Sequence, residues 1–440
     1  MYVLKPDHIF AHEALKSKPD ALERLRRFLN TMGRSEADVD WYAPTDVFRV
    51  SSEVAAWSPD KNAPQWKLRQ PVVFTNFVTD GSTAEDDPIL KNPPAGVALH
   101  KANYILGYML PYTFHHTPEK DAESRTVCWP SKFLGSVAGC PHGCVYCGDG
   151  RGGKALVIAL NVREYVDQVL RPILDDNPWQ RCFLMIGMGA DMATLEPEYG
   201  LYEDFLNLLS KYEDRYAYFH TNGDHVDWVE RLTHRERLIG VWSLCSNEAA
   251  AVLEPCAPPA SSRIDAMAKL NRWGVPVRVK MKPVLPVRGW QESYANCIKE
   301  LLTTVKPETL GFTCLIWNSF EQLQKMLDTN LLDPTFIEAA RNAQEEMKDS
   351  RHGPFPHSKR AETYRFLIRE ARKHAPKLPL FLSTETNEMW EELAPELGQK
   401  GRKFFCGCNP IQGPGPRFLK SDLTESNFRT NKKARRKTAS

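Results

Sequence analysis

The chain has 440 residues, enough to bury a large core in one domain with extensions or in two to three smaller domains. Its 57 basic and 55 acidic residues leave a formal charge of +2, so overall charge gives no case for nucleic-acid binding. The N-terminus lacks a signal-peptide pattern and no apolar stretch reaches the length of a membrane span. We therefore expect a soluble, cytoplasmic protein that does not associate with a membrane.

The first part of the chain predicts a mixed α/β extension, which we assign to residues 1–124. A helical pattern covers Asp20 to Met32, and an apolar run from Pro71 to Phe77 predicts a strand. Between Thr79 and Pro94 the sequence is rich in Asp, Gly, Pro and Ser, which is typical of an exposed loop.

From about Arg125 to Trp317, short apolar runs alternate with amphipathic segments, as in repeated β-α units. The predicted strands are Phe133–Val137, Cys182–Ile186, Tyr216–His220, Leu238–Ser243, Val275–Val279 and Leu310–Leu315. The predicted helices are Val162–Leu170, Leu201–Tyr212, Val226–Leu232, Ile264–Trp273 and Trp290–Thr304. This pattern favours a parallel sheet, either a partial barrel or a doubly wound sheet, with ligands at the C-terminal strand ends.

Residues 318–425 are predicted to form a C-terminal cap of helices with a closing strand. The predicted elements are helices at Phe336–Met347 and Ala361–His374, a strand at Leu378–Leu382 and a helix at Asn387–Leu393. Residues 426–440 form a basic tail without apolar content, for which disorder is the first interpretation and nucleic-acid contact the second.

Three cysteines stand within eight residues in the glycine-rich segment GSVAGCPHGCVYCGDGRGG. Cys140, Cys144 and Cys147 follow a Cys-x-x-x-Cys-x-x-Cys spacing, which presents three thiolates and leaves one iron of a [4Fe–4S] cluster open. Structural zinc is the competing interpretation, but it normally takes four protein ligands, and no second cysteine pair stands at zinc-ribbon spacing. We expect His142, inside the loop, to be a solvent-facing spacer.

The spacing, with aromatic Tyr146 before the last cysteine, resembles the radical SAM superfamily. The resemblance implies that S-adenosylmethionine (SAM) binds the open iron and is reductively cleaved to start radical chemistry. It also implies an electron donor such as flavodoxin or ferredoxin. Tyr146 is expected to shield the cluster or, alternatively, to relay a radical.

A longer run, from roughly Arg125 to Trp390, resembles the spore photoproduct lyase branch of that superfamily. The segment GMGADMATLEP is similar to a glycine-rich turn near the methionine end of SAM, which nominates Gly187, Gly189 and Asp191 as SAM-binding residues. Ser243 stands at a strand end that contacts SAM in the branch. The implied fold is an α/β partial (β/α)6 TIM-like barrel of the radical SAM type with N-terminal and C-terminal extensions.

This chain differs from the branch at three positions that the DNA-repair members of the branch use. Gly148 follows the last cluster cysteine where those members have a tyrosine, and Met188 stands in place of a hydrogen-donating cysteine. Asn222, in the motif HTNGD, occupies the position of a SAM-contacting lysine. We therefore expect a small-molecule or peptide substrate, with nucleic-acid repair as the alternative and a non-enzymatic zinc-binding module as the third hypothesis.

Five further residues are candidates for the site. Cys406 and Cys408, in a Cys-Gly-Cys sequence, are possible ligands of an auxiliary metal or of the substrate. Cys245, just beyond a strand end, is a candidate catalytic thiol, although core packing explains it as well. Lys282 and its neighbour Lys280 alternate onto one face of a strand and are candidates for pairing with SAM or an acidic substrate.

Overall fold

The structure is a computed structural model that describes residues 2–115, 126–148, 153–401 and 404–422. The predicted basic tail at 426–440 lies outside the described residues. Within the described part of the chain, no helix has the length and apolar character needed to cross a membrane.

Strands are labelled in chain order. They are β1 (Ile9–His12), β2 (Asp40–Tyr42), β3 (Val72–Thr75), β4 (Tyr112–His115), β5 (Thr126–Val127), β6 (Ser131–Leu134), β7 (Val137–Ala138), β8 (Leu156–Ala159), β9 (Cys182–Met185), β10 (Tyr216–Thr221), β11 (Leu238–Ser243), β12 (Val277–Val284), β13 (Leu310–Cys314), β14 (Leu380–Leu382), β15 (Glu385–Thr386), β16 (Gln412–Gly413) and β17 (Arg417–Phe418).

Helices are labelled in the same way. They are α1 (Pro19–Thr31), α2 (Val47–Ala56), α3 (Leu99–Ile105), α4 (Val162–Glu164, continued as a π-helix at Tyr165–Leu170 and as an α-helix at Arg171–Asp175), α5 (Leu201–Leu209), α6 (Asn247–Leu253), α7 (Ala260–Arg272), α8 (Trp290–Thr304), α9 (Phe320–Met326), α10 (Pro334–Asn342), α11 (Gln344–Met347), α12 (His357–His374) and α13 (Asn387–Leu397).

The larger sheet has eight strands in the order β14-β13-β12-β11-β10-β9-β6-β4. Its seven strands from β14 to β6 run parallel, and β4 joins the edge antiparallel to β6. No pairing among the described residues joins the two edge strands, so the barrel is open. The predicted partial barrel is confirmed, because the β-α repeats build one parallel sheet whose described edge strands do not pair with each other.

One predicted strand is longer than its pattern indicates. We predicted a strand that ends at Val279, whereas β12 continues to Val284. Arg278, Lys280 and Lys282 alternate along β12, and the predicted strand ended before the two lysines, which we expected just beyond it. Arg278 and Lys280 are instead buried on the inner face of the sheet, where other parts of the chain pair with them.

A smaller sheet has the order β2-β1-β3-β8-β7. It combines strands of the predicted extension with β7 and β8, which follow residue 125 in the sequence. The division at residue 125 stays a prediction. Because β6 belongs to the larger sheet and β7 to the smaller one, the chain passes between the two sheets immediately before the cysteine loop.

The C-terminal segment returns to the larger sheet. We call residues 404–419 the C-terminal plug. The carbonyl of Pro410 accepts hydrogen bonds from the backbone N–H groups of Arg181 and Cys182, each at 2.8 Å, at the start of β9. Arg278 donates to the carbonyls of Gln412 and Gly413 at 2.9 and 3.0 Å. The plug therefore lies against the N-terminal ends of the barrel strands.

Candidate functional site

The cysteine loop, residues 139–147, follows β7 and packs against the end of α6. The backbone N–H of Val145 donates to the carbonyl of Leu253 at 2.9 Å, and that of Cys147 donates to the carbonyl of Cys144 at 3.2 Å. Cys144 is buried, whereas Cys140 and Cys147 are half-buried. Burial raises the pKa of the Cys140 and Cys144 thiols, so a bound metal would have to replace their protons.

The three predicted ligands lie close enough to interact electrostatically. After burial and Glu254, the thiols of Cys140 and Cys147 contribute to the raised pKa of Cys144. Yet no three His, Cys, Asp or Glu side chains among the described residues converge on a point that could hold one metal ion. A four-ligand zinc site requires such convergence, whereas the thiolates of a cluster each bind a different iron. The donor set therefore fits a cluster better than zinc.

His142 fixes the cysteine loop to the turn after β9. Its Nε2 lies 2.8 Å from Oδ2 of Asp191, and only 2% of His142 is exposed. The prediction that His142 is a solvent-facing spacer is wrong. The spacing gave no sign of this contact because its partner is 49 residues away in the sequence.

Asp191 joins three segments of the chain at one carboxylate oxygen. Besides His142, its Oδ2 accepts hydrogen bonds from Oγ1 of Thr221 at 2.7 Å and from the backbone N–H of Asn222 at 3.0 Å. The oxygen that these contacts share therefore belongs to a residue that we predicted to bind SAM. Oδ1 of Asp191 and Nδ1 of His142 are buried without a hydrogen-bond partner among the described residues. These two atoms remain able to bind a polar group of a ligand.

Glu254 forms a second buried connection to the cysteine loop. Its Oε1 accepts hydrogen bonds from the hydroxyl of Tyr146 and from Nδ2 of Asn222, each at 2.9 Å. The same Nδ2 lies 3.7 Å from the sulfur of Cys144. Oε2 of Glu254 is 2.6 Å from Arg263, and both side chains are fully buried. Asn222 thus lies beside a predicted cluster ligand, between the carboxylates of two buried residues.

Tyr146 and Cys245, the two predicted catalytic residues, both border Glu254. Burial raises the pKa of Tyr146, so its phenol stays protonated and donates to the carboxylate. Cys245 is fully buried, and its sulfur lies 3.2 Å from the carbonyl of Pro283 and 3.8 Å from Glu254. These contacts suit a packing role for Cys245, and its catalytic role stays a prediction.

The glycine-rich turn after β9 fits closely against the chain that enters the cysteine loop. Gly187 has φ +61°, and a Cβ there would lie 2.4 Å from the carbonyl oxygen of Val137. Gly189 also has a positive φ of +67°. At Gly187 the structure requires glycine for backbone packing, whereas the predicted contact of both glycines with SAM stays a prediction.

A cavity of about 310 Å³ borders this turn. Its walls include Gly139 of the cysteine loop and Met188 of the turn on one side, and Lys101 and Tyr104 of α3 on the other. A volume of this size suits a small-molecule ligand.

Ser243 and Lys282, the remaining predicted SAM contacts, lie at the C-terminal ends of β11 and β12. Oγ of Ser243 is 2.8 Å from Nε2 of His220. The Lys282 ammonium lies 3.4 Å from Oγ1 of Thr384 and 4.7 Å from the ring centre of Trp317. Burial, and then repulsion by a neighbouring lysine, lower the pKa of Lys282 to about 8.

Trp317 is a site candidate that the sequence did not reveal. It is 51% exposed and has a φ of +64°, a conformation that a bulky residue rarely adopts. Exposed tryptophan beside a lysine at the C-terminal strand ends is a surface suited to ligand contact. The sequence gives little indication of this role, because a tryptophan that follows an apolar strand is first taken to be a core residue.

Cys406 and Cys408 lie in the C-terminal plug and contact β12. The ammonium of Lys280 is 3.1 Å from the sulfur of Cys408, and both residues are buried. The described contacts of the two cysteines are with this lysine and with the plug, and the cysteine loop is not among them. Their role as ligands of an auxiliary metal or of the substrate stays a prediction.

Comparisons with known proteins identify the family of the chain. Residues 133–359, slightly more than half of the chain, match the sequence model of the family described as spore photoproduct lyase. The chain belongs to the spore photoproduct lyase family. It is therefore a radical SAM enzyme, and its cofactors are a [4Fe–4S] cluster and SAM. No curated protein matches the chain.

Two solved spore photoproduct lyase structures have a similar fold. A variant with bound AdoMet and dinucleoside spore photoproduct matches with a TM-score of 0.56 and 14% identity over 86% of this chain and 98% of that chain. A second structure, complexed with dinucleoside spore photoproduct, matches with a TM-score of 0.55 and 14% identity over 87% of this chain and 98% of that chain. At such low sequence identity, these two matches show only that the chain shares the fold of the solved structures.

The sequence did not reveal the two residues that tie the site together. Glu254 and Arg263 were not among the predicted site residues. One signal was present, since Glu254 is a single charge at the end of the apolar run of α6. A charge in such a place needs a buried partner.

Proposed function

We propose that Cys140, Cys144 and Cys147 bind the [4Fe–4S] cluster and that this enzyme starts radical chemistry on a small molecule or peptide at the C-terminal strand ends. The observation that supports this proposal is the double attachment of the cysteine loop. His142 fixes it to Asp191 after β9, and Tyr146 fixes it to Glu254 after α6.

When bound, the two cofactors supply a hydrogen-abstracting carbon radical. The residues of this chain hold and shield the place where that radical arises. Tyr146 and Asn222 close one side of Cys144, and their shared bond to Glu254 keeps both side chains in place. The unpartnered Oδ1 of Asp191 is suited to accept a hydrogen bond from the ammonium group of SAM. We include Ser243, whose hydroxyl lies at the end of β11, among the SAM contacts.

A small substrate is supported by the cavity of about 310 Å³ and by two departures from the DNA-repair members. Gly148 and Met188 stand where those members carry a tyrosine and a cysteine of their radical relay. Met188 also lines the cavity. A protein electron donor such as flavodoxin or ferredoxin belongs to the same proposal.

Nucleic-acid repair is the second candidate function. The family match favours it, and the two solved relatives hold a dinucleoside spore photoproduct. Binding to DNA that weakens steeply with salt, and that is lost when residues 431–440 are deleted, would support this candidate over the first.

The test of the proposed cluster ligands is formation of 5′-deoxyadenosine by anaerobically reconstituted protein with SAM and dithionite. We expect the product from wild type and from Cys314→Ala, whose buried cysteine lies in β13, but none from Cys144→Ala. Equal product from Cys144→Ala would contradict the assignment.

A further inference from the structure

The inner face of the barrel carries a second group of reactive side chains. Every second side chain of a strand points to the same face, so Lys280 shares the inner face of the barrel with Arg278. In the sheet register Lys280 pairs with Ser243, the last residue of β11. Lys280 therefore lies in the middle of β12, at the level of Ser243, a proposed SAM contact.

The C-terminal plug brings two thiols to this lysine. The backbone N–H of Cys406 donates to Oε1 of Gln412 at 2.8 Å, which bends the plug back on itself. Gly407 sits so close to Lys280 that a Cβ would lie 2.5 Å from Cε of the lysine. The glycine thus allows Cys408 to reach the Lys280 ammonium at 3.1 Å.

The two thiols differ in charge and exposure. The hydrogen bond from the Cys406 thiol and the charge of Lys280 lower the pKa of Cys408 well below its usual range, whereas burial raises the pKa of Cys406. Cys408 is also the more exposed of the two, at 9% against 3%. Among the described residues, no carboxylate forms an ion pair with Lys280, so the Cys408 sulfur is its described anionic partner.

We propose that Cys406 and Cys408 are a redox-active dithiol on the inner face of the barrel, with Cys408 as the nucleophilic thiolate and Cys406 as the resolving thiol. A thiolate held beside a lysine and next to a second thiol is the arrangement that thiol–disulfide exchange requires. The site would take a low-molecular-weight disulfide as its oxidant.

The exchange transfers two electrons from the protein thiols to the small disulfide. The Cys408 thiolate attacks one sulfur of the small disulfide, which forms a mixed disulfide and releases one thiolate of the reagent. Cys406 then loses its proton and attacks the Cys408 sulfur, which closes the protein disulfide and releases the second thiolate. Two electrons and one proton leave the protein pair and reduce the reagent.

A metal site is the main competing explanation. A third thiol, Cys128, is near enough to interact electrostatically with Lys280 and Cys406. However, no three such side chains among the described residues converge on one point. A lysine in direct contact with Cys408 also opposes the binding of a cation there.

The test uses the full-length anaerobic protein in buffers of reduced and oxidised glutathione. After acid quenching, unfolding and alkylation with N-ethylmaleimide, the tryptic peptide Phe404–Arg417 contains Cys406 and Cys408 and no other cysteine. We expect this peptide to lose two hydrogen atoms and escape alkylation as the buffer becomes oxidising. The peptide Cys182–Lys211, with one buried cysteine, should stay alkylated at every ratio.

Two variants assign the roles. Lys280→Met should slow disulfide closure by about tenfold or more, because it removes the charge that favours the thiolate. Cys406→Ser should trap the reagent on the Cys408 peptide. A wild-type peptide that stays doubly alkylated in fully oxidised buffer would overturn the proposal, and so would metal bound to the two cysteines that is lost in Cys406→Ser. The peptide masses do not depend on SAM cleavage, so this proposal and the proposed function can fail separately.

Discussion

The carboxylate of Glu254 and the guanidinium of Arg263 form an ion pair at 2.6 Å in which neither side chain is exposed. The same carboxylate accepts hydrogen bonds from Tyr146 and Asn222, on the side of the cysteine loop. Arg263 also donates to the carbonyl of Ser243 at 3.3 Å. One buried pair therefore connects the cysteine loop to the end of β11, where we place a SAM contact.

Removing the charge of Glu254 should destabilise the fold. Glu254→Gln keeps an oxygen acceptor but leaves Arg263 as a buried charge without its counter-ion, which typically costs about 3–5 kcal/mol. Urea unfolding of the purified protein measures this loss. The control is Glu321→Gln, which breaks an exposed pair with Lys325 and should leave the unfolding midpoint unchanged. A Glu254→Gln protein as stable as this control would mean that Arg263 finds another partner.

Loss of the Asp191 carboxylate should loosen the cluster. Asp191→Asn disrupts the bond to His142 that holds the cysteine loop, and loss of such a supporting contact typically lowers metal affinity by about 10- to 100-fold. The readout is the iron that remains bound at increasing chelator concentration. Asp227→Asn, in an exposed pair with Lys269, is the matched control. Iron retention equal to that control would show that the loop holds its shape without His142.

Lys282 should make stability depend on pH in a defined window. Its pKa is lowered from 10.5 to about 8, so between these values only the unfolded chain keeps the proton. The contribution of Lys282 to the free energy of unfolding therefore rises with pH between about 8 and 10.5. Below pH 8 the folded protein carries the full cost of the buried charge. Lys282→Met should remove that rise and be more stable than wild type at neutral pH.

Urea midpoints measured at neutral pH and within that window check this expectation. The exposed Lys373 provides the control, since Lys373→Met should keep the wild-type slope. If Lys282→Met keeps the slope as well, Lys282 is not the source of the pH dependence.

Tyr146→Phe separates shielding from radical relay. The variant loses the hydroxyl that donates to Glu254, and a hydrogen bond to a charged group contributes about 1.5–3 kcal/mol. If the ring only shields the cluster, we expect lower stability but an unchanged ratio of 5′-deoxyadenosine to iron. A drop of that ratio at full iron content would favour the relay instead.

The sequence predicted the barrel because its strands repeat a local pattern. The apolar runs of β9, β10, β11 and β13 are short, and each of them occurs where it was predicted. The helix predicted at Val226–Leu232, between β10 and β11, is instead a short 3-10 helix at Asp227–Arg231. The pattern failed at β12, where Lys280 and Lys282 interrupt the apolar run. Charges on the inner face of a barrel cannot be told from surface charges without knowing their partners.

The contacts that complete the site are between residues far apart in the chain. His142 and Asp191 are 49 residues apart, and Lys280 and Cys408 are 128 residues apart. Periodicity shows which residues are buried but does not show which segments meet. The three cysteines could be predicted as cluster ligands because their spacing is local and characteristic of one kind of cluster.

The most direct test of the proposed cluster ligands is electron paramagnetic resonance of the dithionite-reduced, anaerobic protein with and without SAM. For wild type we predict the signal of a reduced [4Fe–4S] cluster that changes when SAM binds the open iron. We predict that this signal is lost in Cys144→Ala but not in Cys314→Ala. A wild-type protein that contains one zinc ion and shows no such signal would contradict the account.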